Sequence, residues 1–311
     1  MTKRVLVTGA AGFLGQACLP YLLEAGYTVH AISRKQISAA SGEIVWHAVD
    51  LMDTSATASL LSQTRPSHLL HLAWVTEHGY YWHAPENLDW VMASLNLFRA
   101  FVRCGGQRAL VTGTCAEYEW KNGICTEETT PVLPATHYGA AKKALFELLE
   151  HYKDTLDFSL VWGRLFFLYG PGENRSRLLP NVILGLLADK PVKTSHGRQQ
   201  RDFLHVDDAA RALVMLLNGS KQGAINVASG EMIPVRTVIS TAAHLLGKPD
   251  LVQYGAIPLG ETEPMLLGAN VEKLRESGFT PRWSLKAGIS DSIEYWRHRM
   301  RNQEAKGAAI C

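Results

Sequence analysis

The sequence predicts an α/β fold, a doubly wound parallel sheet carrying a smaller C-terminal lobe. Three observations lead there. An apolar run, Val5-Leu6-Val7, passes through the glycine-spaced turn Thr8-Gly9-Ala10-Ala11-Gly12-Phe13-Leu14-Gly15 into an amphipathic stretch. Short apolar runs then alternate with helical periodicity through the first half of the chain. Finally, 311 residues exceed one average domain and suffice to bury a large core.

The glycine turn explains the first strand and helix together. Glycines 9, 12 and 15 lack a Cβ, so the backbone turns sharply, approaches a pyrophosphate closely and packs helix on strand. The free helix N-terminus then faces negative charge, and the implied ligand is a dinucleotide held by Gly9, Ala11, Gly12, Phe13, Leu14 and Gly15. A helix is predicted over residues 14–25, with Leu19, Leu22 and Leu23 inward and Gly26 as its stop. A second strand, 27–32, ends at Ser33-Arg34-Lys35. A carboxylate at this point would accept from an adenosine ribose hydroxyl, whereas a hydroxyl followed by two cations suits a 2′-phosphate. NADP(H) is therefore the expected cofactor, with NAD(H) possible.

A third strand, 44–49, ends in Asp50-Leu51, where the carboxylate either accepts from the adenine amino group or caps the helix predicted over 54–61. The fourth strand, 69–73, carries small Ala73 between Leu72 and Trp74, where backbone can approach a cofactor. The long connection 74–85 is too aromatic to be disordered, and its rings are expected to wall the reacting sugar and nicotinamide. His71, His78 and His83 lack metal-ligand spacing, so no metal is expected; His78 is a candidate substrate contact. A helix over 87–104 and a fifth strand over 109–112 complete the alternation, with ligand expected at the strands' C-terminal ends.

Composition bounds the partners. Lys and Arg number 31 against 29 Asp and Glu, a net charge of +2, which favours neither nucleic acid nor an anionic membrane. Cys18, Cys104, Cys115, Cys125 and Cys311 are odd in number and lack C-x-x-C spacing, against a disulfide framework or zinc site. The first strand begins within four residues of Met1, leaving no room for a leader, and no apolar run is long enough for a bilayer. A cytoplasmic location is expected.

The chemistry-bearing residues follow the fifth strand. Thr112-Gly113-Thr114-Cys115 ends it, and Tyr138-Gly139-Ala140-Ala141-Lys142 opens a helix that brings Tyr138 and Lys142 onto one face. A cation beside the phenol is expected to lower its pKa from about 10, making it a proton donor and acceptor nearer neutrality. Thr114 can hydrogen-bond the same substrate oxygen.

With these residues in place, the chain resembles the short-chain dehydrogenase/reductase superfamily, in its extended branch of sugar-nucleotide epimerases, dehydratases and reductases. The resemblance implies a Rossmann-type dinucleotide domain over residues 1–170 and a mainly substrate-binding lobe over 171–302; residues 303–311, which have lost periodicity, are expected to be a frayed tail. It implies that Thr114, Tyr138 and Lys142 are catalytic, that Lys142 also holds the nicotinamide ribose, and that Thr112 and Phe166 line the cofactor. Arg164-Leu165-Phe166-Phe167-Leu168-Tyr169-Gly170-Pro171 and Arg201-Asp202-Phe203-Leu204-His205-Val206-Asp207-Asp208 look like two further segments of that branch. In relatives the arginine at position 201 contacts the substrate diphosphate; the alternative is an ion pair with Asp208 or a neighbour.

Two departures matter. Phe167 stands where relatives often place an asparagine, and the segment Ile257-Pro258-Leu259-Gly260-Glu261-Thr262-Glu263-Pro264 lacks the second diphosphate-binding arginine. Arg175 or Arg177 can compensate. Cys115-Ala116 replaces the acidic pair of dehydratases, while residues 197–208 and Tyr254-Gly255-Ala256-Ile257 look like reductases of 4-keto-6-deoxysugar nucleotides. The expected activity is reduction of a keto group on a nucleotide-linked sugar, with His78, Thr114, Cys115, Phe167, Arg177 and Arg201 facing substrate. The alternatives are an epimerase retaining NAD, a reductase of small carbonyls and, remotely, a cofactor-sensing regulator. Further helices are predicted over 178–187, 206–217, 235–246 and 285–299, with short strands at 224–227 and 266–267. Helices 87–104 and 135–152 resemble those that pair two subunits in relatives, and a homodimer is expected.

Overall fold

The computed structural model describes residues 3–37, 42–260 and 263–308. In its first half β1 (Arg4–Thr8), α1 (Phe13–Glu24), β2 (Thr28–Ser33), β3 (Ile44–Ala48), α2 (Thr54–Thr64), β4 (His68–His71), α3 (Glu86–Arg103) and β5 (Arg108–Thr114) alternate strand with helix. After the short β6 (Ile124–Cys125) come α4 (His137–Tyr152) and β7 (Ser159–Leu165). The second half runs β8 (Phe167–Tyr169), α5 (Leu178–Leu187), β9 (Val192–Thr194), β10 (Gln200–His205), α6 (Val206–Asn218), β11 (Gly223–Val227), β12 (Met232–Pro234) and α7 (Val235–Leu245). It ends with β13 (Val252–Tyr254), β14 (Leu266–Ala269), α8 (Glu272–Glu276) and α9 (Leu285–Ala308).

Seven strands form one sheet in the order β11-β7-β5-β4-β1-β2-β3, every neighbouring pair parallel. Alternate residues feed two cores. The row Ala31, Val7, Leu70, Leu110 and Val161 faces α1 and α6, and the row Leu6, Leu69, Ala109 and Leu160 faces α2, α3 and α4. Burial on both faces is why these strands read as continuous apolar runs. The chain leaves β1 towards β2 on one side and returns at β4 on the other, so a crevice opens at the C-terminal ends of β1 and β4, where ligands enter such sheets.

The C-terminal lobe has its own core, in which α5, α7 and α9 pack Ile183, Leu186, Val238, Ile239, Ile289 and Ile293 together. Its sheet is ordered β12-β10-β14-β6, with β8 also on β10, and a separate pair joins β13 to β9. Strand β8 follows β7 after a single residue, Phe166, and thereby ties this lobe to the large sheet.

Several expectations are corrected. Asp53, not Asp50, caps α2 by accepting from Ala56 N at 2.9 Å, because Asp50 spends its carboxylate on Met52 N at 3.0 Å. Helix α9 continues to Ala308 instead of fraying at 303, its last turns being polar and therefore without the apolar spacing that marks a packed helix; residues 309–311 lie outside those described. Cys18, Cys104, Cys115 and Cys125 are free thiols. No helix among the described residues is long and apolar enough to cross a membrane.

Candidate active site

The glycine turn is shaped by contacts that tolerate no side chain. Gly9 has φ +67°, and a Cβ on it would lie 2.9 Å from Ala73 N at the end of β4. A Cβ on Gly15 would lie 2.2 Å from Gly9 O and 2.7 Å from Ala10 Cα. Gly12 N donates to Gly9 O at 3.0 Å, and Gly12 starts α1 with no side-chain cap and no acidic residue in the first turn. Uncapped amides facing an open cradle fit an anionic group such as a dinucleotide pyrophosphate. Ala11 and Gly12 are exposed there, and Phe13 and Leu14 are half-buried.

Buried hydrogen bonds pin the crevice. Thr8 Oγ1 accepts from Leu72 N and Ala73 N at 3.1 and 3.2 Å and donates to His71 Nδ1 at 2.7 Å. His71 Nε2 then donates to Ser94 Oγ at 2.9 Å, and the Ser94 hydroxyl donates to Trp90 O. Burial, helped by the Lys142 charge, pushes the His71 pKa down to about 3, so the ring stays neutral in this role. Ser33 ends β2 and Arg34 follows it, with Lys35 N donating to Ser33 Oγ at 3.2 Å and Arg34 and Lys35 exposed. Asp50 is exposed, while Leu51 is buried in the core.

Thr112 and Thr114 sit at the end of β5. Helix α4 rests directly on the turn that follows: a Cβ on Gly139 would lie 2.2 Å from Ala116 O. That contact brings Tyr138 over Thr114. Lys142, 2 % exposed, donates to Thr112 O at 2.8 Å and lies over the Trp74 ring at 3.8 Å. The aromatic connection folds onto Tyr138: Tyr81, Trp82 and Trp74 meet its ring edge-to-face with centroids at 5.0, 6.0 and 6.5 Å, and Tyr138 N donates to Trp82 O at 3.1 Å.

This wall corrects the expected phenol pKa. Burial raises Tyr138 above its ordinary value, assisted by Tyr81 and the Glu117 carboxylate, while Thr114 opposes the shift. Lys142 is itself pulled down to about 7 by burial, with Glu117 holding it up. Half-neutral at pH 7, Lys142 brings no full positive charge to the phenol. The arrangement keeps Tyr138 protonated, as a proton donor requires.

Sequence reasoning missed three residues, Glu117, Glu173 and Glu263, and held Tyr81 only as one ring of the aromatic connection. Glu117, wholly buried, accepts from Thr114 N and Trp162 Nε1 at 2.8 and 2.9 Å and pairs with Arg164 Nε at 2.8 Å. Its signal was present as the capping-box spacing Thr114-x-x-Glu117. Tyr81 is pushed up to about 12 by burial. Glu173, 6 % exposed, leaves Oε2 without a partner, and burial raises its pKa to about 8. Glu263 pairs with Arg201 Nη2 at 2.8 Å, so the alternative of an ion pair on Arg201 is met by Glu263 and not by Asp208, which pairs with Arg211 and accepts from Arg282 N and Trp283 N.

The remaining candidates divide. Arg177 faces Tyr81 and Glu173, drawing both pKa values down against burial, and exposed His78 stands beside it. Arg201, 3 % exposed, faces the Phe167 ring at 5.5 Å and lies near Cys115, whose carbonyl accepts from Trp120 Nε1 at 2.8 Å. Phe166 is buried in the core that faces α1 and α6.

Comparison with known proteins follows the same outline. The chain is 26% identical to CDP-abequose synthase of Salmonella typhimurium over 94% of its own length and 98% of that protein. It is 26% identical to UDP-glucose 4-epimerase of Corynebacterium glutamicum, covering 89% and 91% respectively. Among solved structures, MoeE5 in complex with UDP-glucuronic acid and NAD superposes with TM-score 0.82 at 28% identity, covering 95% of this chain and 99% of that one. The UDP-N-acetylglucosamine 4-epimerase of Methanobrevibacter ruminantium superposes with TM-score 0.87 at 20% identity, covering 96% and 99%, and so shares the fold. The sequence profile of the NAD dependent epimerase/dehydratase family matches residues 5–228, and with the glycine cradle, Thr114, Tyr138 and Lys142 at one sheet edge the chain belongs to that family, within the extended short-chain dehydrogenase/reductases.

Proposed function

We propose that the protein is a cytoplasmic, NADP(H)-preferring reductase of a keto group on a nucleotide-linked sugar. The observation that carries the choice is the end of β2. Ser33-Arg34-Lys35 offers a hydroxyl and exposed cations, and no carboxylate, at the strand end that would meet the adenosine ribose, which supports a 2′-phosphate there. A site built for a phosphorylated, exchangeable carrier suits net reduction.

The residues act as follows. Gly9, Ala11, Gly12, Phe13, Leu14 and Gly15 would hold the pyrophosphate, Ser33 and Arg34 the 2′-phosphate, Asp50 and Leu51 the adenine. Leu72, Ala73, Trp74, Thr112, Phe166 and Lys142 would line the nicotinamide half. A bound dihydronicotinamide supplies the hydride. Tyr138, kept protonated by its aromatic cover, donates its proton to the carbonyl oxygen, and Thr114 hydrogen-bonds and polarises that oxygen. Lys142, drawn to its ammonium form by the phenolate, balances the negative charge left on Tyr138. Arg177 and Arg201 supply positive charge for the diphosphate, with His78, Cys115 and Phe167 beside the sugar.

The names of the relatives favour a second reading, an epimerase that oxidises and re-reduces one sugar on retained NAD. Mixing the purified enzyme with NADPH and a panel of nucleotide-linked 4-keto sugars separates the two. Stoichiometric NADPH consumption is expected; co-purified NAD and sugar interconversion without net consumption would establish the epimerase. Equal or tighter binding of NAD than NADP would remove the cofactor assignment.

A homodimer belongs to the same proposal. Leu88 and Met92 on α3 and Leu148 and Tyr152 on α4 are 70%, 57%, 41% and 50% exposed, an apolar face that a second copy would bury. A monomeric mass in solution would exclude it.

A further inference from the structure

The Arg201–Glu263 pair is asymmetric in a way that bears on ligand binding. Arg201 is held inside: it is 3 % exposed, sits on β10 between β12 and β14, and donates from Nη1 to Gln200 O at 2.8 Å. It cannot swing to solvent, and a buried guanidinium without a counter-charge is costly. Glu263 supplies that counter-charge through Nη2 at 2.8 Å, yet its side chain is 42% exposed. Water can therefore rehydrate the carboxylate when it lets go. One partner is fixed and the other is releasable.

The fixed partner faces the chemistry. Arg201 lies 5.5 Å from the Phe167 ring and near Cys115, the residue after Thr114. An anion reaching this guanidinium from the catalytic side meets a fork with one amino group on Gln200 O and the other on Glu263. A phosphate that seeks the same Nη2 hydrogen bond competes with the carboxylate for it, because two anions held at one amino group repel each other.

Resting on the nucleotide-sugar reading, we propose that Glu263 is a built-in displaceable counter-ion. It occupies the substrate-phosphate position on Arg201 in the free enzyme and sets how tightly the site holds the nucleoside diphosphate half of its ligand. The carboxylate keeps the buried cation neutralised between turnovers, and it weakens retention of a product whose diphosphate is unchanged by the reaction. Ligands lacking a diphosphate gain nothing from its removal.

The test is calorimetric titration of UDP and CDP, with uridine as the phosphate-free control, into enzyme saturated with NADP⁺ so that the glycine cradle is filled. Wild type, Glu263→Gln, Glu263→Ala, Arg201→Lys and the double variant Arg201→Lys/Glu263→Gln are compared. Because either variant leaves the buried Arg201 without its counter-charge, thermal unfolding of each is measured first, and Glu263→Gln, which keeps a hydrogen-bond acceptor at Nη2, is the milder of the two. Either Glu263 variant is expected to bind the diphosphates about fivefold tighter or more, uridine unchanged, with the gain smaller when Arg201 is replaced. Unchanged affinity in both Glu263 variants overturns the proposal, as does an equal gain for uridine. Arg201-dependent binding that ignores Glu263 overturns this proposal alone. Failure of every variant to bind either nucleotide overturns it together with the nucleotide-sugar reading.

Discussion

Replacing Lys142 with methionine should make the ligand-free enzyme more stable while abolishing its turnover. Burial lowers the Lys142 pKa from 10.5 to about 7. Each pKa unit is worth about 1.4 kcal/mol, so holding the ammonium inside costs at most about 5 kcal/mol below pH 7. The Trp74 face at 3.8 Å favours the charged form by about 2 kcal/mol and the bond to Thr112 O by about 1.5 kcal/mol, and whatever they return raises the folded-state pKa by the same measure, so the net penalty lies between about 1 and 5 kcal/mol. The sign follows from proton counts. Between pH 7 and 10.5 the unfolded chain carries the proton and the folded one does not, so this group's contribution to stability rises with pH across that window and is lost as pH falls through 7. Lys142→Met removes the penalty, and the difference from wild type should be largest at pH 6 and vanish near pH 10. Thermal unfolding at pH 6, 7.5 and 9 reads it, with a gain of about 3 °C expected at pH 6. A variant less stable than wild type at pH 6, or a difference that does not change with pH, would refute the reasoning.

Other expectations are as direct. Glu173, raised from 4.5 to about 8 with Oε2 unpartnered, burdens the fold increasingly as pH rises between those values. Glu173→Gln should match wild type at pH 5 and exceed it by about 2 kcal/mol at pH 8.5 in denaturant titrations. Gly15→Ala, whose Cβ would lie 2.2 Å from Gly9 O, should abolish dinucleotide binding in fluorescence titration, whereas an Ala at Gly26, where a Cβ meets nothing within 4 Å but φ is +78°, should cost about 1 kcal/mol and leave binding intact.

Much of this was legible in the residues, and the reasons differ from place to place. The glycine turn, the alternation through β5 and the Tyr138–Lys142 spacing are local patterns, and local patterns survive in sequence. Strand β7 was not separated from the motif around Arg164, because Ser159–Leu165 lies between β5 and β11, is buried on both faces and shows no alternation. Strands β8, β9, β12 and β13, three residues each, are set by pairing and not by propensity. The tyrosine pKa was read from a neighbouring charge alone; the structure adds burial under Tyr81 and Trp82, which outweighs it. Glu263 carries no spacing signal, since it meets Arg201 only through the tertiary fold, and Glu173 is set apart by its burial, which no local pattern shows.

The most direct measurement is single-turnover reduction by Tyr138→Phe. Enzyme loaded with NADPH is mixed with the nucleotide-linked keto sugar that wild type consumes, and nucleotide oxidation is followed optically. The account predicts a rate lower by about three orders of magnitude or more with NADPH affinity within twofold of wild type, because the phenyl ring keeps the aromatic packing and lacks the proton. Reduction at a rate near that of wild type would contradict it.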